Sequence, residues 1–119
     1  MIIRTEQMDI LGDYKFRQFV DRMVAHLKKE FPEQTAEMAE SDLRVLINEG
    51  VERAENYEVT DDVDIERYLE CMLRYGGDFD MNLQTSWAGE ILHDNDLSGF
   101  DKMNRINDYE LFVLKLGQL

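Results

Sequence analysis

The stretch from residue 13 to residue 31, DYKFRQFVDRMVAHLKKEF, decides the fold class of this chain. Apolar side chains recur in it every three or four positions, which is the spacing of an amphipathic helix. These side chains are Phe16, Phe19, Val20, Met23, Val24, Leu27 and Phe31. Pro32, the only proline of the chain, follows at once, and we expect it to end the helix because it has no amide proton to donate.

Two more helices are predicted in the middle of the chain. The first begins near Ser41 and carries apolar side chains at helical spacing as far as Tyr57. Gly50 lies on its inner face, and glycine lowers helix propensity by about 1 kcal/mol. We therefore interpret Gly50 as the point of a close helix crossing. The next helix follows a polar loop of residues 58–62 and ends at Gly76.

The last third of the chain adds a short helix after Thr85 or Ser86 and a final helix from about Asp101. Residues 111–116 are also rich in residues that favour β-structure, so a strand is the alternative there. No repeat, low-complexity segment or linker divides the sequence. We predict one all-α domain, residues 1–119, built as a bundle of four to five helices.

Charge is distributed unevenly along the chain. The net charge is −13, yet residues 1–31 carry six Lys or Arg against five Asp or Glu, whereas the remainder carries seven against 21. Such an acidic protein repels nucleic acid and anionic membrane surfaces and attracts basic proteins. We therefore expect a basic protein partner, and neither nucleic acid nor membrane.

Composition also indicates a compartment. The single cysteine, Cys71, leaves no internal disulfide and suits a reducing environment. The N-terminal sequence has no apolar stretch long enough for a signal peptide. The longest apolar run, residues 111–114, is far too short to cross a membrane. We expect a cytoplasmic protein.

One string matches part of a metal-binding loop. Residues 94–100, DNDLSGF, fit the first half of a calcium loop, with oxygen donors at alternate positions and glycine at the sharp turn. The second half departs from the pattern, because Lys102 occupies a ligand position and Arg105 replaces the bidentate glutamate. We predict no metal there, and a capped polar turn between two helices.

The sequence contains no catalytic motif. Cys71 has no second cysteine at CxxC spacing, and His26 and His93 lie in different segments without the spacing of a zinc motif. The glycine-rich motifs of nucleotide-binding proteins and the nucleophile elbow of hydrolases are also missing. We predict a protein that is not an enzyme and needs no cofactor.

The predicted partner surface combines carboxylates with apolar anchors. The carboxylates lie in the second helix, in the loop after it and at the start of the third helix; they are Glu49, Glu52, Glu55, Glu58, Asp61, Asp62 and Asp64. The anchors are Phe79 and Trp87, since aromatic side chains supply much of the binding energy at interfaces. Met8 and Met81, in predicted loops, extend this patch. The alternative is that the carboxylates only solvate the surface and the aromatic residues belong to the core.

Several short strings resemble one group of proteins. HLKKEFPEQ (26–34) precedes SDLRVLINEGVERAENYEVTDDVDIERYLECML (41–73), and RYGGDFDMN (74–82), SWAGEILHD (86–94) and KMNRI (102–106) follow in that order. This arrangement is similar to small bacterial proteins encoded beside type VI secretion components and effectors. The resemblance implies a non-enzymatic adaptor, chaperone or immunity protein, and it assigns no role to any single residue.

Together these observations predict an acidic protein-binding module whose partner is a basic effector, toxin or secretion component. Two other classes stay open. A DNA-mimic inhibitor would need carboxylates spaced like phosphates along one face, and the basic flank of the first helix opposes that. A calcium-binding module would need residues 94–105 to form a complete loop.

Overall fold

The structure is a computed structural model that describes the backbone of residues 10–115 and the side chains of residues 14–115. Every regular element in this part of the chain is helical, so the predicted all-α fold is confirmed. The α-helices are α1 (Ile10–Glu30), α2 (Pro32–Thr35), α3 (Glu40–Asn56), α4 (Asp62–Tyr75), α5 (Ser86–Leu92) and α6 (Gly99–Tyr109). A 3-10 turn, Leu83–Thr85, precedes α5, and a π-helical segment, Glu110–Lys115, follows α6. Met8 and Leu116 lie outside the described residues.

α1 carries the buried apolar stripe that its sequence predicts. Phe19, Val20, Met23 and Val24 are at most 6% exposed, and Leu27 is fully buried. Burying one such side chain stabilises the fold by about 1.5–3 kcal/mol relative to leaving it in water. The stripe therefore holds α1 against α3 and α4, with which it packs.

α4 is the central helix of the bundle. It packs against α1, α3 and α6, so it is buried on more than one side. Its buried apolar side chains are Ile65, Tyr68, Leu69, Cys71, Met72 and Leu73. Burial raises the pKa of the Cys71 thiol to about 12, which keeps it protonated as a structural thiol.

Gly50 lies where α3 crosses α4, as predicted. A Cβ atom at this position would lie 2.7 Å from the Met72 Sδ atom and closer still to the Leu69 side chain. Any residue larger than glycine would therefore push these side chains away. Close contact with α4 explains why a poor helix former occupies the middle of α3.

Helix ends follow the predicted signals with small differences. α1 ends at Glu30, and Pro32 is the first residue of α2, where its missing amide proton costs no helical hydrogen bond. α3 begins at Glu40, close to the predicted Ser41. Gly76 ends α4 with a φ of 104°, a conformation that favours glycine.

The predicted alternative of a strand near the C-terminus is wrong for residues 111–115. They continue the helical path of α6 as a π-helical segment. Glu110, at the start of that segment, accepts hydrogen bonds from the Tyr75 hydroxyl at 2.5 Å and from Arg74 Nη1 at 2.8 Å. These bonds tie the segment to α4, and residues 14–115 contain no strand with which it could pair.

The helices also bear on membrane insertion. None of those formed by the described residues combines the length and the apolar character needed to cross a bilayer. α1, the longest at 21 residues, shows why, since Lys28 and Lys29 lie in its last turn and charged residues interrupt it throughout.

Gly99 places the start of α6 against the loop between α3 and α4. α6 begins at this glycine, slightly before the predicted position. A Cβ atom there would lie 2.7 Å from the Glu58 carbonyl carbon and 2.8 Å from Val59 Cα, and closer still to the Glu58 carbonyl oxygen. These are backbone atoms, which cannot rotate away as the end of a side chain can.

Gly99→Ala is therefore expected to lower the free energy of unfolding by about 1–3 kcal/mol, because the new methyl group overpacks the loop. Urea unfolding followed by circular dichroism measures the change. Gly77→Ala is the matched control, since its Cβ would approach only the Met72 Cε atom, at 3.9 Å. Equal unfolding midpoints for the two variants would contradict the close approach of α6.

Candidate functional site

The loop of residues 76–82 is held by the last turns of α3. The Tyr57 hydroxyl donates to Asp80 Oδ2 at 2.5 Å, and Arg53 Nη1 lies 3.5 Å from the other carboxylate oxygen. Arg53 also donates to the Gly77 carbonyl. Arg53 and Tyr57 are one helical turn apart, so their side chains are neighbours on the helix surface and both bind the same loop.

A buried lysine connects this junction to α6. Lys102 is 2% exposed, and its ammonium donates to the Tyr57 carbonyl at 2.9 Å and lies 5.9 Å from the centre of the Tyr57 ring. Tyr57 is the C-cap of α3, where carbonyl groups lack helical partners and carry partial negative charge. Lys102 therefore caps α3 from another helix, which compensates for part of the cost of burying its charge.

The opposite side of the loop rests on α5. Thr85 donates through Oγ1 to the Phe79 carbonyl at 2.7 Å. A Cβ atom at Gly89 would lie 2.7 Å from the Asp80 carbonyl oxygen, so glycine lets α5 approach the loop backbone. The loop is thus fixed between the end of α3 and the start of α5.

This fixed loop and the 3-10 turn after it present two apolar side chains to solvent. Met81 is 72% exposed and Leu83 is 90% exposed, whereas apolar side chains of this size are usually buried. A cleft of about 390 Å³, hereafter the α3 cleft, lies beside Met81; it is lined by Arg53, Asn56, Tyr57, Asp78, Asp80 and Met81. On the other side of Met81 a shallower groove of about 290 Å³ includes Leu83, Glu90 and His93.

Two of the predicted carboxylates lie one helical turn from residues that line the α3 cleft. Glu49 and Glu52 are exposed on α3, four residues before Arg53 and Asn56 respectively. Side chains four apart are neighbours on a helix surface. The role of these carboxylates at a partner surface stays a prediction.

The other predicted carboxylates lie elsewhere. Glu55 is partly buried, and Glu58 is exposed with a φ of 64° in the turn after α3. Asp61 is the N-cap residue of α4, and Asp62 lies 3.6 Å from Arg22 Nη2 of α1. The set is thus spread over the end of α3 and the start of α4, and α1 contributes a cation to it.

Two predicted surface residues are buried, and their assignment to the partner surface is wrong. Asp64 is 4% exposed in the first turn of α4, and its burial raises the pKa of its carboxyl despite Arg67 at 3.7 Å. Phe79 is fully buried, with its ring centre 5.0 Å from that of Tyr68. In the loop of residues 76–82, which is held on both sides, Phe79 packs in the core and Met81 is exposed.

Trp87, the second predicted anchor, is partly buried. Its ring stacks on Tyr109 of α6 at 4.5 Å and meets Tyr75 of α4 edge-on at 5.5 Å. These contacts join α5 to α4 and α6. Trp87 also lines a shallow cleft of about 280 Å³, so its role at a partner surface stays a prediction beside its structural role.

Residues 94–100, which match the first half of a calcium loop, form a turn that caps α6. Asp94 Oδ1 accepts from the Asp96 amide at 2.9 Å, and Ser98 Oγ accepts from the Asp101 amide at 3.1 Å and caps α6. The remaining loop positions lie within α6, whose backbone carbonyls bond along the helix. Lys102, at one of the ligand positions, points to the Tyr57 carbonyl.

Among the described residues, one cluster could hold a metal, and the sequence pattern did not predict it. His26 of α1 lies beside Glu66 and Glu70 of α4, with its Nε2 atom 2.7 Å from Glu70 Oε2 and 3.7 Å from Glu66 Oε2. The three ligand atoms all lie within 4.8 Å of one another. The two glutamates are one helical turn apart, and this spacing alone was the available signal.

Apart from Met81, the residues that line the α3 cleft were also missed, and so was the role of Lys102 beside it. Tyr57 was assigned only to an inner helix face, and Asp80 was not singled out. Lys102 was considered only as a break in the calcium pattern. A signal for its burial exists, because it lies four residues before Ile106 and therefore shares a helix side with a core residue.

Tyr57→Phe is expected to lower the free energy of unfolding by about 1.5–3 kcal/mol. The reason is that the carboxylate of Asp80, which is 6% exposed, loses the hydrogen bond that the Tyr57 hydroxyl donates to it. Chemical unfolding measures the loss. Tyr14→Phe is the control, since Tyr14 is exposed and its hydroxyl accepts a hydrogen bond from Gln18 on the same helix. A Tyr57→Phe variant as stable as the control would show that this bond does not hold the loop.

The His26–Glu70 contact predicts a dependence of stability on pH. The hydrogen bond to Glu70, followed by the charges of Glu66, Glu70 and Glu30, raises the pKa of His26 above its ordinary value of 6.5 in spite of partial burial. Its contribution is therefore complete below pH 6.5 and is lost as pH rises through the folded-state pKa.

The difference in unfolding free energy between the parent and His26→Gln should accordingly shrink from about pH 6 to about pH 8. Urea titrations across this range measure it. Glu70→Gln removes the main cause of the raised pKa of His26. In a Glu70→Gln background, the change His26→Gln should therefore alter the unfolding free energy less than it does in the parent. A constant difference between parent and His26→Gln would contradict the assigned ion pair.

No family model matches the chain, and neither the curated proteins nor the solved structures that were searched contain a significant match. The burial, charges and contacts described above are therefore the basis on which a function can be assigned.

Proposed function

We propose that this protein is a non-enzymatic binding module for a basic protein, with the contact surface centred on Met81, Leu83 and the α3 cleft. The observation that carries the proposal is the exposure of Met81 and Leu83 next to a loop that is otherwise tied down on both sides. Exposed apolar groups on a rigid support lose little freedom on binding, which favours affinity.

Charge supports a basic partner. The chain has a net charge of −13, and Glu49 and Glu52 lie one turn from the α3 cleft. Carboxylates around an apolar contact raise the association rate with a cationic surface and disfavour anionic ones. The apolar side chains then supply the affinity, so the two features act on different steps of binding.

The resemblance to proteins encoded beside type VI secretion components supports a class of partner. In that setting the basic protein is an effector, a toxin or a secretion component, and this chain acts as its adaptor, chaperone or immunity protein. The compartment that we propose, the cytoplasm, fits a role before secretion and the single buried Cys71.

A DNA-mimic inhibitor is the alternative, and the geometry supports it less. Arg44 Nη2 lies 2.8 Å from Asp21 and its Nε atom lies 3.2 Å from Glu40. Arg22 lies 3.6 Å from Asp62. Cations thus interrupt the carboxylates along α1, α3 and α4, whereas a mimic of the phosphate backbone needs an extended anionic row.

The test begins with capture of partners from a lysate of the native host, followed by kinetics with the purified partner. Glu49→Lys/Glu52→Lys should lower the association rate about tenfold at low salt and flatten its salt dependence. Met81→Ala/Leu83→Ala should weaken the dissociation constant more than about tenfold, chiefly through faster dissociation.

Matched control variants separate this surface from the rest of the molecule. Val63→Ala removes another exposed apolar side chain, and Glu33→Lys/Glu37→Lys reverses two exposed charges near α2. Neither control should change the kinetics beyond a weak general effect of charge. If Met81→Ala/Leu83→Ala binds like the parent, the contact surface lies elsewhere and the proposal fails.

A further inference from the structure

The cluster of His26, Glu66 and Glu70 lies on the α1–α4 interface. His26 projects from α1, and Glu66 and Glu70 project from successive turns of α4. The side chains are 28%, 36% and 21% exposed, so each is within reach of solvent without being fully hydrated. Three donor atoms from two packed helices are thereby held in one place.

The distances suit a small cation. In a tetrahedral zinc site with bonds of about 2.0–2.1 Å, neighbouring ligand atoms are about 3.3 Å apart. His26 Nε2 is 2.7 Å from Glu70 Oε2 and 3.7 Å from Glu66 Oε2, so these separations differ from the ideal by less than 1 Å. All three ligand atoms lie within 4.8 Å of one another, and glutamate side chains have several rotamers through which their oxygens can approach a shared ion.

We propose that His26, Glu66 and Glu70 bind one divalent transition-metal ion of the zinc type and thereby join α1 to α4. One imidazole and two carboxylates are ligands that zinc accepts, and solvent water completes the fourth position. This proposal does not depend on the proposed partner surface, which lies at the end of α3 and the loop of residues 76–82.

The charges around the cluster favour a cation. Glu30 adds a third carboxylate whose charge acts on His26, so the cluster is surrounded by negative charge. Arg74 Nη2 lies 3.7 Å from Glu70 Oε1, the oxygen that does not face His26. The arginine thus leaves Oε2 for the metal.

Metal binding would replace the proton that the imidazole shares with Glu70. The Nε2 proton goes to solvent, and the nitrogen lone pair and one oxygen of each carboxylate bind the ion. Magnesium should compete poorly, because it prefers six oxygen ligands and gives up its waters reluctantly. The class of metal is therefore distinguishable from a general attraction of cations to an acidic protein.

The experiment titrates tag-free protein with ZnCl₂ by calorimetry in the presence of excess MgCl₂. We expect one zinc ion per chain, a rise in the thermal midpoint, and a visible absorption band when CoCl₂ replaces zinc. His26→Gln and Glu66→Gln should each weaken zinc binding more than about tenfold, since even indirect ligand support is worth 10- to 100-fold.

Three controls keep the result interpretable. His93→Gln removes the other histidine, Glu49→Gln removes a distant carboxylate, and neither should change zinc affinity. Thermal midpoints in EDTA verify that each variant is folded. Absence of saturable zinc binding, or equal affinity in the parent, His26→Gln and Glu66→Gln, would overturn the proposal and leave His26 as an ion-pair partner of Glu70.

Discussion

The turn that follows α3 is the constraint on which the rest of the structure depends. The Tyr57 carbonyl accepts from the buried Lys102, and the Tyr57 hydroxyl donates to the buried Asp80. Gly99 lets α6 contact the backbone of Glu58 and Val59 directly. One short turn therefore fixes the loop after α4 and the start of α6, two segments that are far from it in sequence.

Several buried polar groups of this bundle are paired across helices. Lys102 caps α3 from α6, and Glu110 accepts from Arg74 and Tyr75 of α4. Apolar helices can slide or rotate against one another at small cost, whereas a buried charge loses its partner when they do. These pairs therefore select one arrangement of the helices among several that would bury similar apolar area.

The same arrangement explains how an acidic protein can present an apolar contact. The end of α3 and the start of α5 hold the loop of residues 76–82 from both sides. Phe79 of this loop is fully buried, whereas Met81 and Leu83 are exposed. In the proposed function, the carboxylates on α3 supply long-range attraction to a basic partner. The exposed apolar side chains supply the short-range affinity in the same proposal.

The sequence by itself determined the helices and most of the core. Spacing of apolar residues from Phe16 to Phe31 predicted α1, and the position of Gly50 predicted the crossing of α3 with α4, because helical periodicity and glycine geometry are local properties. The signals at Pro32 and Gly76 ended helices for the same reason. The all-α class follows from these local patterns alone.

Only the tertiary structure decided which polar and aromatic residues face solvent. Asp64 and Phe79 were predicted on the surface and are buried, whereas Lys102, which in the sequence only interrupts a calcium pattern, is buried and caps α3. His26 meets Glu66 and Glu70 across 40 and 44 positions of sequence. Burial and charge pairing depend on which helices pack together, and that information is carried by contacts between segments that no local pattern contains.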